Sequence, residues 1–195
     1  HGVKPTYKKV KGFQPLQISW KGFVIDAVFR RGDAHGNHGD TVVKMVGHLV
    51  AKIRKHYRAD AAVIVRMDSG FFDQKLFEAF EQLRIGYICG GKLYKPIKEY
   101  VGMSREGDWR RYEQGRQVWQ YLEFGSKCDS WKCFRRSIYC RPLYEDGQML
   151  LSFARPDTVL VTNLGMGQAI DEALTRVGEG RWLQAEAIVA GYHGR

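Results

Sequence analysis

The stretch Ala62-Val63-Ile64-Val65-Arg66-Met67-Asp68-Ser69-Gly70-Phe71-Phe72-Asp73 constrains the fold more than any other part of the chain. A short Val/Ile run bounded by Ser-Gly predicts a buried strand followed at once by a turn. In α/β folds reactive groups collect at the carboxyl ends of strands, so Asp68 is expected at the rim of a sheet, where a carboxylate can bind Mg²⁺. The same Asp serves equally as a turn residue or as the N-cap of the helix that follows. Taken alone, the motif leaves both roles open.

Its surroundings supply the fold class. Leu16 to Trp20 and Phe23 to Arg30, separated by Lys21-Gly22, predict an antiparallel hairpin. After the Gly-rich loop Arg31 to Asp40, with Asp40 as expected N-cap, a helix runs from Thr41 to about Tyr57. It carries Val42, Met45, Val46, Leu49, Val50 and Ile53 on one stripe. The Asp68 strand is followed by a helix from about Phe72 to Leu83 and a strand from Ile85 to Cys89, closed by Gly90-Gly91. Hairpin, helix, strand, helix, strand is an α/β order with mixed strand directions. It fits a ribonuclease H-like core better than a dinucleotide fold, because no GxGxxG or GxxxxGK[ST] loop is present.

Beyond Gly91 the composition changes. Lys92 to Tyr144 holds twelve Lys/Arg against six Asp/Glu, with Trp109, Trp119, Trp131, Tyr112, Tyr121, Phe134 and Tyr139 interleaved. Gln117 to Phe124, Trp131 to Tyr144, Gln148 to Phe153 and Thr158 to Asn163 predict strands, with turns at Gly125-Ser126 and Asp146-Gly147. Gln168 to Val177 and Arg181 to Tyr192 predict helices. The expected organisation is a ribonuclease H-like mixed sheet with helices over residues 1–91, a β-rich basic insertion over 92–160, and a return to the core over 161–195. The aromatic-basic pattern fits a packed aromatic face on one side of a sheet and a DNA-backbone surface on the other.

The net charge of +10 across 195 residues implies an anionic partner. Nucleic acid is favoured over membrane, since no apolar run approaches the roughly 20 residues that span a bilayer. No signal peptide or lipidation motif is visible. Cys89, Cys128, Cys133 and Cys140 lie in apolar or aromatic surroundings, which points to a reducing, cytoplasmic setting, and their spacing does not make a structural zinc motif. His35 and His38 read as shaping the Gly-rich loop, and Asp40 and Asp73 as caps.

With these residues in view, the chain resembles a bacterial insertion-sequence DDE transposase of the group with a β insertion between the second and third catalytic acids. The resemblance rests on Lys11-Gly12-Phe13-Gln14-Pro15-Leu16, the loop Arg30 to Thr41, Val65 to Asp73, and Tyr87-Ile88-Cys89-Gly90-Gly91-Lys92-Leu93-Tyr94. It implies that Asp68 is the second catalytic Asp and a metal ligand. The first Asp is expected upstream of His1; Asp26 is a less apt substitute because its pattern places it in mid-strand. Tyr192 and Arg195 match the first half of a Tyr-Arg-Glu-Lys signature whose Glu would come later. The segment is therefore expected to be a catalytically incomplete fragment.

The resemblance further implies two Mg²⁺ (or Mn²⁺) ions in the complete enzyme, in-line phosphoryl transfer on double-stranded DNA at transposon ends and target, and a homodimer in the DNA complex. No small-molecule substrate is expected, and the location is bacterial cytoplasm, near the nucleoid. Tyr192 and Arg195 would contact the cleaved strand, and Arg110, Arg111, Arg135 and Arg136 flanking DNA. Two other readings are a ribonuclease H-like nuclease that cuts without joining, and a non-catalytic DNA-binding remnant of a transposase.

Overall fold

The computed structural model of the chain describes residues 2–6, 8–114, 117–143 and 157–165. The predicted strand at 148–153 with its turn at 146–147, the predicted helices at 168–177 and 181–192, and the residues Tyr192 and Arg195 lie outside them. The chain forms two compact units, residues 1–59 and 60–195.

The first unit begins with two short antiparallel strands, β1 (Lys4–Pro5) and β2 (Lys11–Gly12), and the expected hairpin follows as β3 (Leu16–Trp20) and β4 (Phe23–Val28). Lys21 and Gly22 both take positive φ, 49° and 84°, the backbone twist that a two-residue hairpin loop requires. A bulge between Ile18 and Ser19 shifts the register, and Asp26, half-buried opposite Ile18, binds the N–H of Ala27 through its own Oδ1 at 2.8 Å. Gly32 has no room for a side chain: a Cβ there would stand 2.1 Å from the Lys4 carbonyl and 2.4 Å from that of Gly12.

A 3-10 turn (His38–Asp40) leads into α1 (Thr41–His56), which buries Val42, Met45, Val46 and Val50 of the predicted stripe. The cap differs from expectation. Asp40 has a left-handed backbone, φ 56°, and makes no side-chain cap bond. Asn37 does that work from one turn earlier, its Oδ1 accepting from the N–H groups of Val42 (3.1 Å) and Val43 (3.3 Å).

The second unit is built on a six-stranded mixed sheet of order β5-β6-β10-β9-β8-β7. Its strands are β5 (Ile64–Met67), β6 (Gly86–Gly90), β7 (Arg110–Gln114), β8 (Gln117–Ser126), β9 (Arg135–Leu143) and β10 (Thr158–Thr162). β5 and β6 run parallel, joined by α2 (Gln74–Gln82); every other neighbouring pair is antiparallel. Antiparallel β10 joins the basic hairpins to β6, so the strands beyond Gly91 extend the same sheet that carries Asp68. Side chains also fasten this seam. Asn163 accepts from the N–H of Tyr87 and donates to the carbonyl of Ile85, while Thr162 Oγ1 donates to the carbonyl of Tyr87 at 2.6 Å.

Two local expectations fail here, and two elements form where none was expected. Gly125 and Ser126 are not a turn but the end of β8, paired with Arg136 and Arg135; the connection is the loop 127–134, and Trp131 belongs to that loop and not to a strand. Lys95–Met103 forms a helix, α3, with Pro96 in its first turn, where a missing N–H costs nothing. β7 was also not anticipated. One buried cluster holds Ile88, Trp119, Tyr121, Ile138, Cys140, Leu160 and Leu164; a second, Leu122, Tyr139 and Val159, packs with Ile97 and Val101 of α3.

Candidate active site

Asp68 follows β5 directly, at the carboxyl end of a strand on the edge of the sheet, and is exposed. It is also an N-cap. Its Oδ1 accepts from the N–H of Gly70 at 2.9 Å and so closes the 3-10 turn Ser69–Phe71. Both roles anticipated for this residue are thus compatible, since capping uses one carboxylate oxygen. A Cβ on Gly70 would lie 2.9 Å from the same Oδ1 and would push the carboxylate aside. From beneath, the Cys89 thiol on β6 donates to the Asp68 carbonyl at 3.4 Å. Burial, reinforced by the nearby Asp68 charge, pushes that thiol up to about 12, so it stays protonated and able to donate.

Downstream, Asp73 caps α2 as expected, accepting from the N–H of Leu76 at 3.0 Å. Between the two caps, the Phe72 ring is enclosed by Trp131 (centroids 5.4 Å), Phe77 (5.7 Å) and Tyr94 (6.2 Å).

Behind these rings lies Arg135, 2% exposed. Its Nε donates to Tyr87 Oη (2.9 Å) and Glu81 Oε1 (3.2 Å), its Nη2 donates to Glu81 Oε2 (3.3 Å), and its guanidinium lies over Trp131 and Phe77 at 5.0 and 5.5 Å. Burial holds the Tyr87 phenol far above its ordinary range, so it donates to Glu81 (3.1 Å) while accepting from Arg135. Nη1 of Arg135 is buried without a hydrogen-bond partner among the described residues.

The other predicted contacts divide sharply. Arg136 binds Glu123 at 2.7 Å and the Leu164 carbonyl at 2.9 Å, with only 12% of its side chain exposed. Arg135 and Arg136 thus use their guanidinium groups inside the fold, which is not the flanking-DNA position expected of them. Arg110 and Arg111 are exposed on β7, the opposite edge strand from β5, and Arg111 pairs with Glu113 at 2.7 Å. A basic residue that sequence reading did not single out, Arg141, stacks on Trp109 at 3.7 Å and donates twice to Gln120 Oε1.

The chain matches the family described as Transposase DDE domain group 1 over residues 3–177. It belongs to the DDE transposase family. The mixed α/β architecture agrees with the ribonuclease H-like sheet that such transposase domains carry. No curated protein matches the chain. Divalent metals are the general cofactors of DDE transposases. The exposed Asp68 carboxylate is the hard oxygen donor that Mg²⁺ takes, but among the described residues no group of three or more His, Cys, Asp or Glu side chains stands close enough to hold an ion. The rings of His35 and His38 meet edge to face at 6.2 Å in the loop before α1. No helix among the described residues is long and apolar enough to cross a membrane.

Proposed function

We propose that this transposase domain catalyses metal-dependent cleavage of transposon ends and their joining to target DNA, with Asp68 as its second catalytic acid. The observation that carries the reading is the exposed carboxylate at the end of β5, with Oδ1 fixed by Gly70 and Oδ2 not used by that cap. Bound Mg²⁺ or Mn²⁺, two ions in the complete enzyme, supplies Lewis-acid stabilisation and an activated nucleophile for in-line phosphoryl transfer. Asp68 would serve as a metal ligand through Oδ2, and the Gly70 N–H keeps the carboxylate from rotating away. Arg110 and Arg111 are exposed at the opposite edge, where they would meet phosphates, Arg111 by exchanging its pairing with Glu113. Tyr192 and Arg195 retain their proposed role beside the cleaved strand, within a core over 1–91 and 161–195 interrupted by a basic insertion over 92–160. A homodimer on paired ends in the bacterial cytoplasm completes the proposal.

Asp68→Asn is the discriminating variant, because the amide oxygen still accepts from Gly70. In end-cleavage and strand-transfer assays on the full-length protein it should lose about 10³-fold or more in rate while binding DNA ends within about twofold of wild type. Cleavage at the wild-type rate would refute the assignment. Cutting without joining by the wild type would favour a nuclease, and DNA binding without either activity a non-catalytic remnant.

A further inference from the structure

The loop 127–134, which joins β8 to β9, together with Arg135 at the start of β9, is fastened to the middle and end of α2 at three points. Lys132 Nζ lies 3.4 Å from Glu78 Oε1, Trp131 meets Phe77 edge to face at 5.9 Å, and Arg135 at the loop's end holds Glu81. Trp131 is presented by a tight turn, its N–H bonded to the Cys128 carbonyl at 2.8 Å, and it is 5% exposed although it sits in a loop. Its ring bears on Phe72, within the segment that joins Asp68 to α2.

Besides Trp131, that segment is held by the Cys89 thiol on the Asp68 carbonyl and by the Phe77 and Tyr94 rings on Phe72. Its backbone bonds are the short-range contacts Phe71 N–H to Asp68 O (3.1 Å) and Phe72 N–H to Ser69 O (3.3 Å), together with the Gly70 cap. Bonds that span two or three residues do not define where a turn points relative to a sheet; the half-buried Phe72 ring, packed by a neighbouring element, helps to do so.

We propose that Trp131 is a positioning residue for Asp68: the β8–β9 loop clamps Phe72 and thereby fixes the direction of the carboxylate. The proposal rests on the reading of Asp68 as a catalytic acid, and it adds that a loop of the basic strands is part of the mounting of that acid. DNA held by those strands is then coupled to the metal-binding carboxylate through packed rings. Phe72, Trp131, Phe77 and Arg135 form one continuous packed cluster, from the Asp68 turn to β9.

The test is amide hydrogen exchange on the 195-residue chain, followed through peptides covering residues 68–73. Trp131→Ala should speed exchange there by about tenfold, and Trp131→Phe, which keeps a ring, should stay within about threefold of wild type. Trp109→Ala removes another indole of the same unit that does not touch the segment, and should leave 68–73 unchanged. Phe72→Leu supplies a reciprocal arm that does not depend on Trp131→Ala folding: exchange should rise in the loop 127–134. Unchanged exchange in 68–73 for a folded Trp131→Ala, or in 127–134 for Phe72→Leu, overturns the proposal, as does an equal rise in Trp109→Ala. In the full-length protein the Mg²⁺ concentration for half-maximal cleavage should rise in Trp131→Ala and be restored in Trp131→Phe. A wild type that never cleaves would defeat the catalytic reading, while the exchange result would still decide whether the clamp exists.

Discussion

The buried pair of Arg135 and Glu81 makes an asymmetric prediction. Two opposite charges about 3.2 Å apart attract by roughly 5 kcal/mol at an effective dielectric constant of 20, a gross figure set against the cost of drying both groups. The two partners are not equally dry: side-chain exposure is 2% for Arg135 and 33% for Glu81. Glu81→Gln strands a guanidinium that has no route to water, so it should cost about 3–5 kcal/mol, the range for a buried charge left uncompensated. In Arg135→Met the thioether keeps contact with Phe77 and Trp131, and the orphaned Glu81 keeps the Tyr87 hydroxyl and turns to solvent. That variant should lose only about 1–3 kcal/mol. Urea unfolding followed by far-ultraviolet circular dichroism, with slopes checked for equality, measures both. Arg135→Met costing as much as Glu81→Gln, or both costing under about 1 kcal/mol, would refute the reasoning. The same Arg135→Met variant should leave the salt dependence of DNA binding unchanged; a slope reduced by about one would put the guanidinium on a phosphate after all.

Asn37→Ala should destabilise the chain by about 1 kcal/mol, whereas Asp40→Ala should not lose a cap, because Asn37 and not Asp40 accepts from the first turn of α1; thermal unfolding of the two variants checks this. The thiols of Cys89 and Cys140 are both pushed up to about 12, by burial first, so the folded chain holds these protons more tightly than the unfolded one. Their contribution to stability is intact below about pH 9 and falls as pH rises towards 12, and a thiol reagent at pH 8 should label exposed Cys133 while leaving these two until the chain unfolds. Arg110→Ala with Arg111→Ala should lower the salt slope of DNA binding by about one per residue and leave the cleavage rate at saturating DNA unchanged, as titrations between low and physiological salt would show.

What could be read from the chain was the part governed by local rules. The Lys21-Gly22 hairpin, the α1 stripe and the Asp68 strand each depend on periodicity or on turn chemistry within a few residues, and each forms, although the Asp68 strand is an edge strand with only Met67 buried and not the buried strand expected. The failures have long-range causes. Gly125-Ser126 looks like a turn, yet β9 pairs along it, and Ser126 and Ser137 share a hydroxyl bond of 2.6 Å. Trp131 looks like a strand residue because it is large and aromatic, but its burial comes from α2, far away in sequence. Arg135 and Arg136 stand in a basic run, and nothing local shows that Glu81 and Glu123 neutralise them. The α3 helix did leave a signal: Pro96 near its start, Ile97 and Val101 four apart, and Lys95 with Glu99 at the same spacing, 3.6 Å from nitrogen to oxygen. That signal was outweighed by the surrounding β-rich composition.

The strand order also limits how one DNA duplex can use this unit. Asp68 follows β5 and Arg110 and Arg111 lie on β7, the two edges of a six-stranded sheet, so five interstrand spacings of about 4.8 Å separate them by roughly 24 Å. At about 3.4 Å per base pair that is some seven base pairs, so the acid and the arginine pair cannot address the same phosphate. Under the proposed function, arginines at that distance would hold register and could not stabilise charge at the scissile group, a role for which donors must lie within about 3 Å. If Asp68 is the catalytic acid as proposed, any link between occupancy of the far edge and that acid runs through the duplex or through the protein. Among the described residues, the Arg135–Trp131–Phe72 cluster is packed across part of that span, from β9 to the Asp68 turn.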